Sequence, residues 1–262
     1  MYLLIYTTND DLIKEKRYFK MLVNSKVDGI IIDSVANIDD DKYYKSLANT
    51  EKGTKRIPVV SIERNLSKYG IFSVYVNNVL GAYLATKHLL DSGCKRIIHI
   101  GGPMGIEMVL HRTTGYRNAL REAGMEILQD YESNGDFSPF SGYRELKKFI
   151  NGGIQFDGIF ADNDQMAIGA IKALKENGYK IPGDVKVVGF DNTFVSSIVK
   201  PALTTINVPK YRMGWEATET LCMLMNDPEK EMKSFSMELV ANLLERESTN
   251  GAELENWDLE GW

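Results

Sequence analysis

Residues 158–190, GIFADNDQMAIGAIKALKENGYKIPGDVKVVGF, decide the predicted fold. The stretch begins with a short apolar run, residues 158–161, and ends with a second one, residues 185–189. Between them, residues 165–176 have helical spacing, and the Asn-Gly and Ile-Pro-Gly-Asp sequences that follow turn the chain. A strand, a helix and a second strand in this order predict a parallel α/β unit with a right-handed crossover.

The same alternation of apolar runs and helical segments extends along most of the chain. Further strands are predicted at residues 3–6, 29–32, 58–62, 72–76, 96–100 and 235–240. Several are continuous Val and Ile runs, which are typical of strands buried on both faces of a sheet. The sequence therefore predicts an α/β protein with doubly wound parallel sheets, whose ligand sites lie in the loops at the carboxyl ends of the strands.

Length and composition limit the possible classes of protein. A chain of 262 residues buries a sizeable core without a disulfide or a metal. Its 31 Lys and Arg against 36 Asp and Glu give a formal charge of -5, the wrong sign for a chain that holds nucleic acid by itself. Cys94 and Cys222 are far apart and lack metal-ligand spacing, which favours two reduced thiols in a cytosolic protein.

Targeting and catalytic motifs are absent from the sequence. It has neither a secretory signal nor an apolar run long enough for a membrane span, so we expect a cytoplasmic protein without a membrane partner. It also lacks a P-loop, a dinucleotide-binding glycine motif, a zinc-protease motif and a nucleophile elbow. We therefore expect a binding protein and not an enzyme, with no cofactor and no metal.

Chemically distinctive residues follow several of the predicted strands. Glu63 and Arg64 emerge together at a strand end, where Glu63 either accepts hydrogen bonds from sugar hydroxyls or forms an ordinary solvated exit. Arg112 is predicted at a helix start, where no dipole favours a cation, so it either donates into a cleft or forms a surface ion pair. Phe137 lies in a polar turn and either stacks on a sugar or base or packs into the core. Asn78 is predicted to cap a helix.

Two further clusters, Asp162-Asn163-Asp164 and Asp191-Asn192, end neighbouring predicted strands. The amide of Asn163 and the carboxylate of Asp191 suit the recognition of hydroxyl groups. A metal site is less convincing because no histidine joins them, and carboxylates alone suit only hard cations. An acid/base pair is less convincing because the sequence shows no nucleophile beside it. His99 lies within a buried strand and is interpreted as a packing residue.

Eight segments, in this order along the chain, resemble the lactose/galactose-repressor (LacI/GalR) family of transcriptional regulators. The resemblance covers residues 1 to about 248. The segments are Asp28-Gly-Ile-Ile-Ile, Ile57-Pro-Val-Val, Arg112-Thr-Thr-Gly-Tyr, Gly135-Asp-Phe-Ser, Phe160-Ala-Asp-Asn-Asp-Gln-Met-Ala-Ile-Gly-Ala, Val187-Val-Gly-Phe-Asp, Pro201-Ala-Leu-Thr-Thr-Ile and Glu238-Leu-Val.

The resemblance implies a type I periplasmic-binding-protein-like fold. In this family two lobes close on a sugar or another small effector, and the closure changes the geometry of a homodimer and its affinity for DNA. Carried over by position, the effector-binding residues are Glu63, Arg112, Phe137, Asn163 and Asp191. The implied N-terminal lobe is residues 1–102 plus 206–230, the C-terminal lobe is residues 103–205 plus 231–248, and residues 249–262 are a tail.

One departure from the family concerns the start of the sequence. The family begins with a helix-turn-helix, a hinge, and the first strand and helix of the core, whereas this sequence starts at the second strand. We therefore expect an N-terminally truncated effector-binding core that meets operator DNA only through a segment outside these residues. An isolated first lobe of this kind would expose apolar sheet edges.

Two other functions remain open at this point. A sugar-binding protein of a transport system has the same fold, but no export signal is seen. A doubly wound hydrolase would use Asp162, Asp164 and Asp191 as candidate acids. The hydrolase predicts turnover of a sugar or phosphate ester, whereas the sensor predicts saturable binding alone.

Overall fold

The structure, a computed structural model, describes residues 2–25, 27–37, 40–52, 55–227 and 235–251. The chain divides into two compact units. Unit 1 comprises Met1–Val76 with Lys210–Leu239, and unit 2 comprises Asn77–Pro209 with Val240–Trp262. The predicted lobe boundary between residues 230 and 231 and most of the predicted tail, residues 252–262, lie outside the described residues.

Helices and strands alternate along most of the chain, as predicted, although between residues 51 and 76 four strands follow one another without an α-helix. The helices are α1 Leu12–Asn24, α2 Asp41–Ala48, α3 Asn78–Asp91, α4 Glu107–Glu122, α5 Pro139–Asn151, α6 Asp164–Glu176, α7 Phe194–Ile198, α8 Lys210–Asn226 and α9 Glu247–Asn250. The strands are β1 Ile30–Ile32, β2 Glu51–Lys52, β3 Lys55–Arg56, β4 Val59–Ile62, β5 Phe72–Val76, β6 Ile97–Gly101, β7 Glu132–Asn134, β8 Gly158–Ala161, β9 Lys186–Asp191, β10 Thr204–Asn207, β11 Ser236–Leu239 and β12 Asn242–Leu244.

Unit 1 is built on a four-stranded parallel sheet in the order β1-β4-β5-β11. The short strands β2 and β3 form a separate antiparallel pair. A core of apolar side chains, including Tyr44, Leu47 and Ile71, is almost fully buried beside the main sheet. Helix α8 packs on β4 and β5 and buries Met213 and Ala217. This apolar face, with a period of 3.6 residues, explains why the segment forms a helix against the sheet.

Unit 2 contains a six-stranded sheet in the order β12-β10-β9-β8-β6-β7. Only β12, at one edge, is antiparallel to its neighbour. Strand β8 is buried along its whole length, which accounts for its continuous apolar sequence. Because β9, β8 and β6 are parallel neighbours, their carboxyl ends meet at one edge of the sheet. The loops at this edge carry most of the residues that the sequence singled out.

The sheet pairing corrects the predicted lobe boundaries. Strand β6 pairs with β8 and β7, and α3 packs along α4 and β9, so residues 77–102 belong to unit 2 and not to the first lobe. Strand β11 pairs with β5 in unit 1, although residues 231–248 were assigned to the C-terminal lobe. Apolar runs show where strands form but do not show which sheet each strand joins.

Two local predictions also need correction. Residues 3–6 form no strand: among the described residues no neighbouring strand pairs with them, and Leu3 and Ile5 are exposed. Strand propensity alone does not hold a segment in a sheet. The cap of α3 is Asn77, whose side chain accepts a hydrogen bond from the backbone N–H of Leu80, and not Asn78.

Glycine allows the helix pair α5 and α6 to pack at very short distance. A Cβ atom on Gly169 would overlap the carbonyl oxygen of Pro139 and lie 2.8 Å from the backbone nitrogen of Tyr143. Both obstacles are backbone atoms, which cannot move without shifting α5. By contrast, a Cβ atom on Gly214 in α8 would meet nothing within 4 Å.

We predict that Gly169→Ala lowers the free energy of unfolding by about 2 to 3 kcal/mol, because the helices must separate. The matched control Gly214→Ala should raise it by about 0.5 to 1 kcal/mol, because alanine favours the helix more than glycine does. Urea unfolding monitored by circular dichroism measures both changes. Equal effects of the two substitutions would contradict the close packing of α5 and α6.

Candidate functional site

The carboxyl-end edge of the unit 2 sheet brings four of the five predicted residues together. Asn163 follows β8, Asp191 ends β9, and Arg112 reaches both strand ends from α4. Phe137 joins them through its carbonyl oxygen, which accepts a hydrogen bond from the side chain of Asn163. We call Arg112, Phe137, Asn163 and Asp191 the strand-end cluster. Glu63, the fifth predicted residue, follows β4 in unit 1.

Arg112 is the most deeply buried charge of the strand-end cluster, with 2% of its surface exposed. Its Nε donates to Oδ1 of Asn78 at 2.8 Å, and its Nη1 donates to the carbonyl oxygen of Asp162. The guanidinium lies 3.7 Å from the centre of the Phe190 ring, and Nη2 lies 3.5 Å from Oδ1 of Asp191. These contacts offset the cost of removing a cation from water. They exclude the predicted alternative of a surface ion pair.

The position of Arg112 in its helix differs from the prediction. Helix α4 begins at Glu107, so Arg112 lies in the second turn and not at the helix start. Its contacts with Asn78 and Asp162, and not the helix dipole, fix the guanidinium.

Asp191 is the accessible member of this ion pair. Its side chain is 31% exposed, whereas the side chain of Arg112 is 3% exposed. A carboxylate that is held by a buried arginine and yet reaches solvent has acceptor capacity for hydroxyl groups. The pair therefore combines a fixed cation with an accessible acceptor.

Asn163 serves two local structures at once. Its Oδ1 accepts a hydrogen bond from the backbone N–H of Met166 at 2.9 Å and so caps α6, and its Nδ2 donates to the carbonyl oxygen of Phe137 at 3.0 Å. The ring of Phe137 lies against Gly102, where a Cβ atom would overlap it. Phe137 also packs on the apolar core of unit 2. Glycine at position 102 thus sets the place of the ring.

Three of the five predicted residues have a left-handed backbone. The φ angles are 64° at Glu63, 67° at Phe137 and 98° at Asp191. Such angles are costly for residues other than glycine and persist where the surrounding structure enforces them, often at functional sites. Asn192, directly after Asp191, has a φ of 53°, so the whole turn after β9 is strained. This observation supports the choice of these loops independently of side-chain chemistry.

Glu63 and Arg64 do not emerge together as predicted. Arg64 is 5% exposed, and its Nη1 donates to the carbonyl oxygen of Ala36 at 2.6 Å and to the hydroxyl of Tyr44 at 3.1 Å. It is therefore turned into unit 1. Glu63 is partly exposed, and its backbone N–H donates to the carbonyl oxygen of Val74 at 3.0 Å.

Asp164 is fully buried directly beside the cluster. Its carboxylate accepts hydrogen bonds from the backbone N–H of Thr193 at 2.6 Å and from the hydroxyls of Thr193 at 3.0 Å and Thr205 at 2.6 Å. Burial, and then the nearby carboxylate of Asp191, raises the pKa of Asp164 to about 7. The carboxylate ties the turn after β9 to the start of α6. Within the described residues, no three or more His, Cys, Asp or Glu side chains are grouped to hold a metal ion.

Sequence reasoning missed two residues that support the cluster. Asn78 was interpreted as a helix cap, but its side chain receives the Nε–H of Arg112. His99 was interpreted as packing, but its Nε2 lies 2.8 Å from Oδ1 of Asp162. No local sequence signal marks either role, because each partner lies more than thirty residues away in the chain.

Comparison with known proteins places this geometry in a class. Residues 86–249 match the family model of the periplasmic binding protein-like domain. The PurR transcriptional repressor of Aliivibrio salmonicida is 32% identical over 90% of this chain and 69% of its own length. The ribose operon repressor of Halalkalibacterium halodurans is 31% identical over 94% of this chain and 70% of its own. The structure of the regulator CelR in complex with cellobiose is similar with a TM-score of 0.78 and 30% identity, over 90% of this chain and 70% of that one.

The fold and these relatives thus define a periplasmic-binding-protein-like ligand-sensing domain. The chain belongs to the LacI family of transcriptional regulators. Its relatives are regulators and not enzymes. No helix among the described residues has both the length and the apolar character needed to cross a membrane.

The raised pKa of Asp164 generates a pH prediction. In the folded protein Asp164 binds a proton up to about pH 7, whereas in the unfolded chain it loses the proton near the ordinary aspartate pKa of 3.8. Between these values the folded state holds more protons, so the stability that protonated Asp164 provides is lost progressively as the pH rises from about 3.8 to about 7. We predict that the wild-type free energy of unfolding, measured relative to Asp164→Asn, falls by about 2 kcal/mol from pH 5 to pH 8. Urea titrations of both proteins at each pH measure this difference, and a constant difference would contradict the assignment.

Proposed function

We propose that the effector of this sensor is a sugar or a sugar-like small molecule and that the strand-end cluster binds it. The observation that carries the proposal is the pair formed by the buried Arg112 and the partly exposed Asp191. The carboxylate accepts hydrogen bonds from hydroxyl groups, and the fixed guanidinium holds it in place. Recognition of hydroxyl groups by such paired polar groups is effective in a site that excludes water.

The other members of the strand-end cluster have complementary roles. We assign Phe137 to contact with an apolar face of the ligand. We assign Asn163 to a hydrogen bond from the second N–H of its side-chain amide, because the first donates to the Phe137 carbonyl. Glu63, which has a left-handed backbone at the end of β4, is assigned the effector-binding role that the family resemblance implies. The names of two relatives, a ribose operon repressor and a regulator in complex with cellobiose, support a sugar as the effector.

We infer that binding controls transcription and is not followed by turnover. The relatives are transcriptional regulators, and the formal charge of -5 opposes tight DNA binding by these residues themselves. Operator DNA is then contacted through an N-terminal segment outside these 262 residues, and a homodimer matches the paired half-sites of operators. A regulator of this kind acts in the cytoplasm. Units 1 and 2 correspond in this proposal to the two lobes of the sensor.

A thermal-shift screen tests the ligand class. The panel contains D-ribose, cellobiose, D-glucose, a phosphosugar such as ribose 5-phosphate, and hypoxanthine as a purine. A ligand at 100 times its Kd stabilises the folded state by roughly 2.7 kcal/mol, which gives a clear rise in Tm. Stabilisation by the purine and by no sugar would overturn the proposed ligand class. Chromatography of the incubated sugars checks for turnover, and any product formed in proportion to the protein would contradict a pure sensor.

We predict that Asp191→Asn weakens binding of the sugar identified by this screen by about tenfold to a hundredfold, about 1.4 to 2.8 kcal/mol, because a charged acceptor is lost. The matched control is Asp91→Asn, which removes the same charge from an exposed pair with Lys87 at the end of α3. Calorimetry should give the wild-type Kd for the control. Wild-type affinity in Asp191→Asn would remove the strand-end cluster as the binding site.

A further inference from the structure

His99 has a polar partner, Asp162, although an apolar ring would pack equally well at its position. It lies in the middle of β6, is 1% exposed, and is stacked against Tyr116, at 4.9 Å between ring centres, and against Phe160, at 5.1 Å. Phenylalanine would fill this place between two aromatic rings. Histidine instead brings Nε2 to 2.8 Å from Oδ1 of Asp162, where an ionised carboxylate accepts the Nε2–H.

Asp162 connects His99 to two other elements. It is fully buried, and its Oδ2 accepts a hydrogen bond from the backbone N–H of Gly102 at 2.9 Å. Its backbone carbonyl accepts the Nη1–H of Arg112. One residue thus fixes the loop after β6 through its side chain and the guanidinium of α4 through its main chain.

Both connections end at the strand-end cluster. The ring of Phe137 packs directly against Gly102 and occupies the space that a Cβ atom at position 102 would need. The carbonyl oxygen of Gly102 also accepts a hydrogen bond from Nδ2 of Asn134 at 2.8 Å, so Gly102 is held on both sides. A shift of Gly102 therefore moves the ring, and a shift of the Asp162 backbone moves Arg112 relative to Asp191.

The surrounding charges leave His99 as the side-chain donor to Asp162 within the described residues. Glu132 lies opposite His99 in the register of β6 and β7, but Arg117 pairs with it at 2.8 and 2.7 Å. Tyr116 directs its hydroxyl away, to the carbonyl oxygen of Ile97 at 2.7 Å. A buried carboxylate that loses its donor is strongly destabilised and moves toward new partners.

We propose that His99 and Asp162 are positioning residues for the effector site: the pair holds Phe137, through Gly102, and Arg112 in their binding geometry. The proposal rests on the proposed function of the strand-end cluster. It assigns to His99 a role in effector affinity, although His99 does not itself touch the effector.

The test uses the whole chain and three variants. His99→Phe keeps an aromatic ring between Tyr116 and Phe160 but removes the donor to Asp162. His99→Gln restores an N–H donor near the position of Nε2. The control Tyr116→Phe removes a buried hydrogen bond on the same face of the sheet that does not involve Asp162.

Two readouts separate positioning from general stability. The first is the amide proton shift of Gly102 in protein labelled with 15N-glycine, which reports its bond to Asp162 and needs no ligand. The second is calorimetry with D-ribose and with cellobiose. We expect a changed chemical shift of the Gly102 amide proton in His99→Phe, with at least a tenfold loss of affinity for whichever of these sugars the wild type binds. We expect wild-type values of both readouts in His99→Gln and Tyr116→Phe.

Three results would overturn the proposal. They are an unchanged Gly102 amide in His99→Phe, unchanged affinity in that variant, or an equal effect of Tyr116→Phe. If the wild type binds neither sugar, the proposed sugar class fails for these two compounds, whereas the Gly102 amide still decides the positioning role.

A second variant covers the case in which His99→Phe does not fold. Asp162→Asn removes the buried charge, so His99→Phe in that background leaves no unpaired carboxylate. If the two residues act as one unit, Asp162→Asn alone weakens sugar binding, and adding His99→Phe changes the affinity by less than about twofold. Additive losses, or no loss in Asp162→Asn, would also overturn the proposal.

Discussion

Burial of the Arg112 guanidinium is the constraint on which the functional edge of unit 2 depends. A cation with 2% of its surface exposed is stable only with partners on every side, and these come from different elements. Asn78 belongs to α3, Asp162 follows β8, and Asp191 ends β9. Because all three partners contact the same guanidinium, their contacts fix the relative positions of helices α3 and α4 and of the ends of β8 and β9. The geometry of the strand-end cluster therefore follows from the need to surround Arg112 with polar protein groups.

The order of strands and helices in unit 2 could be predicted from the sequence because it depends on local patterns. Apolar runs, helical spacing and glycine stops identify β8, α6 and β9, and parallel pairing then places Asn163 and Asp191 at one edge. The predictions that failed concern residues and strands whose partners are distant in the chain. The sequence does not show that β6 joins the sheet of unit 2, that Arg64 turns inward, or that Asn78 receives Arg112. Side-chain direction at a helix start or a strand end is decided by tertiary contacts, for which a single sequence holds no local signal.

The strained turn after β9 and the buried polar groups around it depend on one another. Asp191 and Asn192 have left-handed backbones, and Arg246 donates to Oδ1 of Asn192 at 2.8 Å while Asp164 holds Thr193 on the other side. Such a turn is costly in isolation and is maintained by the polar groups buried around it. Membership of a family of ligand-sensing regulators accounts for the many polar groups that are buried at one sheet edge. A sensor needs a rigid surface whose geometry changes only when its ligand supplies the energy.

The two hydrogen bonds of the Asn163 side chain limit how the ligand selectivity of this domain could be altered, for example in a biosensor. Because the same amide caps α6 and fastens the main chain of Phe137, it is a poor position at which to vary ligand preference: most replacements would disturb a helix start and a loop together. Arg112 is equally unsuitable for such changes, since its N–H groups donate to Asn78 and to the main chain of Asp162 and so hold the fold together. The ring of Phe137 packs on Gly102 and on the unit 2 core and makes no hydrogen bond, so changing it leaves the cap of α6 and the polar contacts of Arg112 in place. Libraries that replace it with other apolar side chains, with Gly102 intact, would therefore disturb the scaffold less than changes at Asn163 or Arg112.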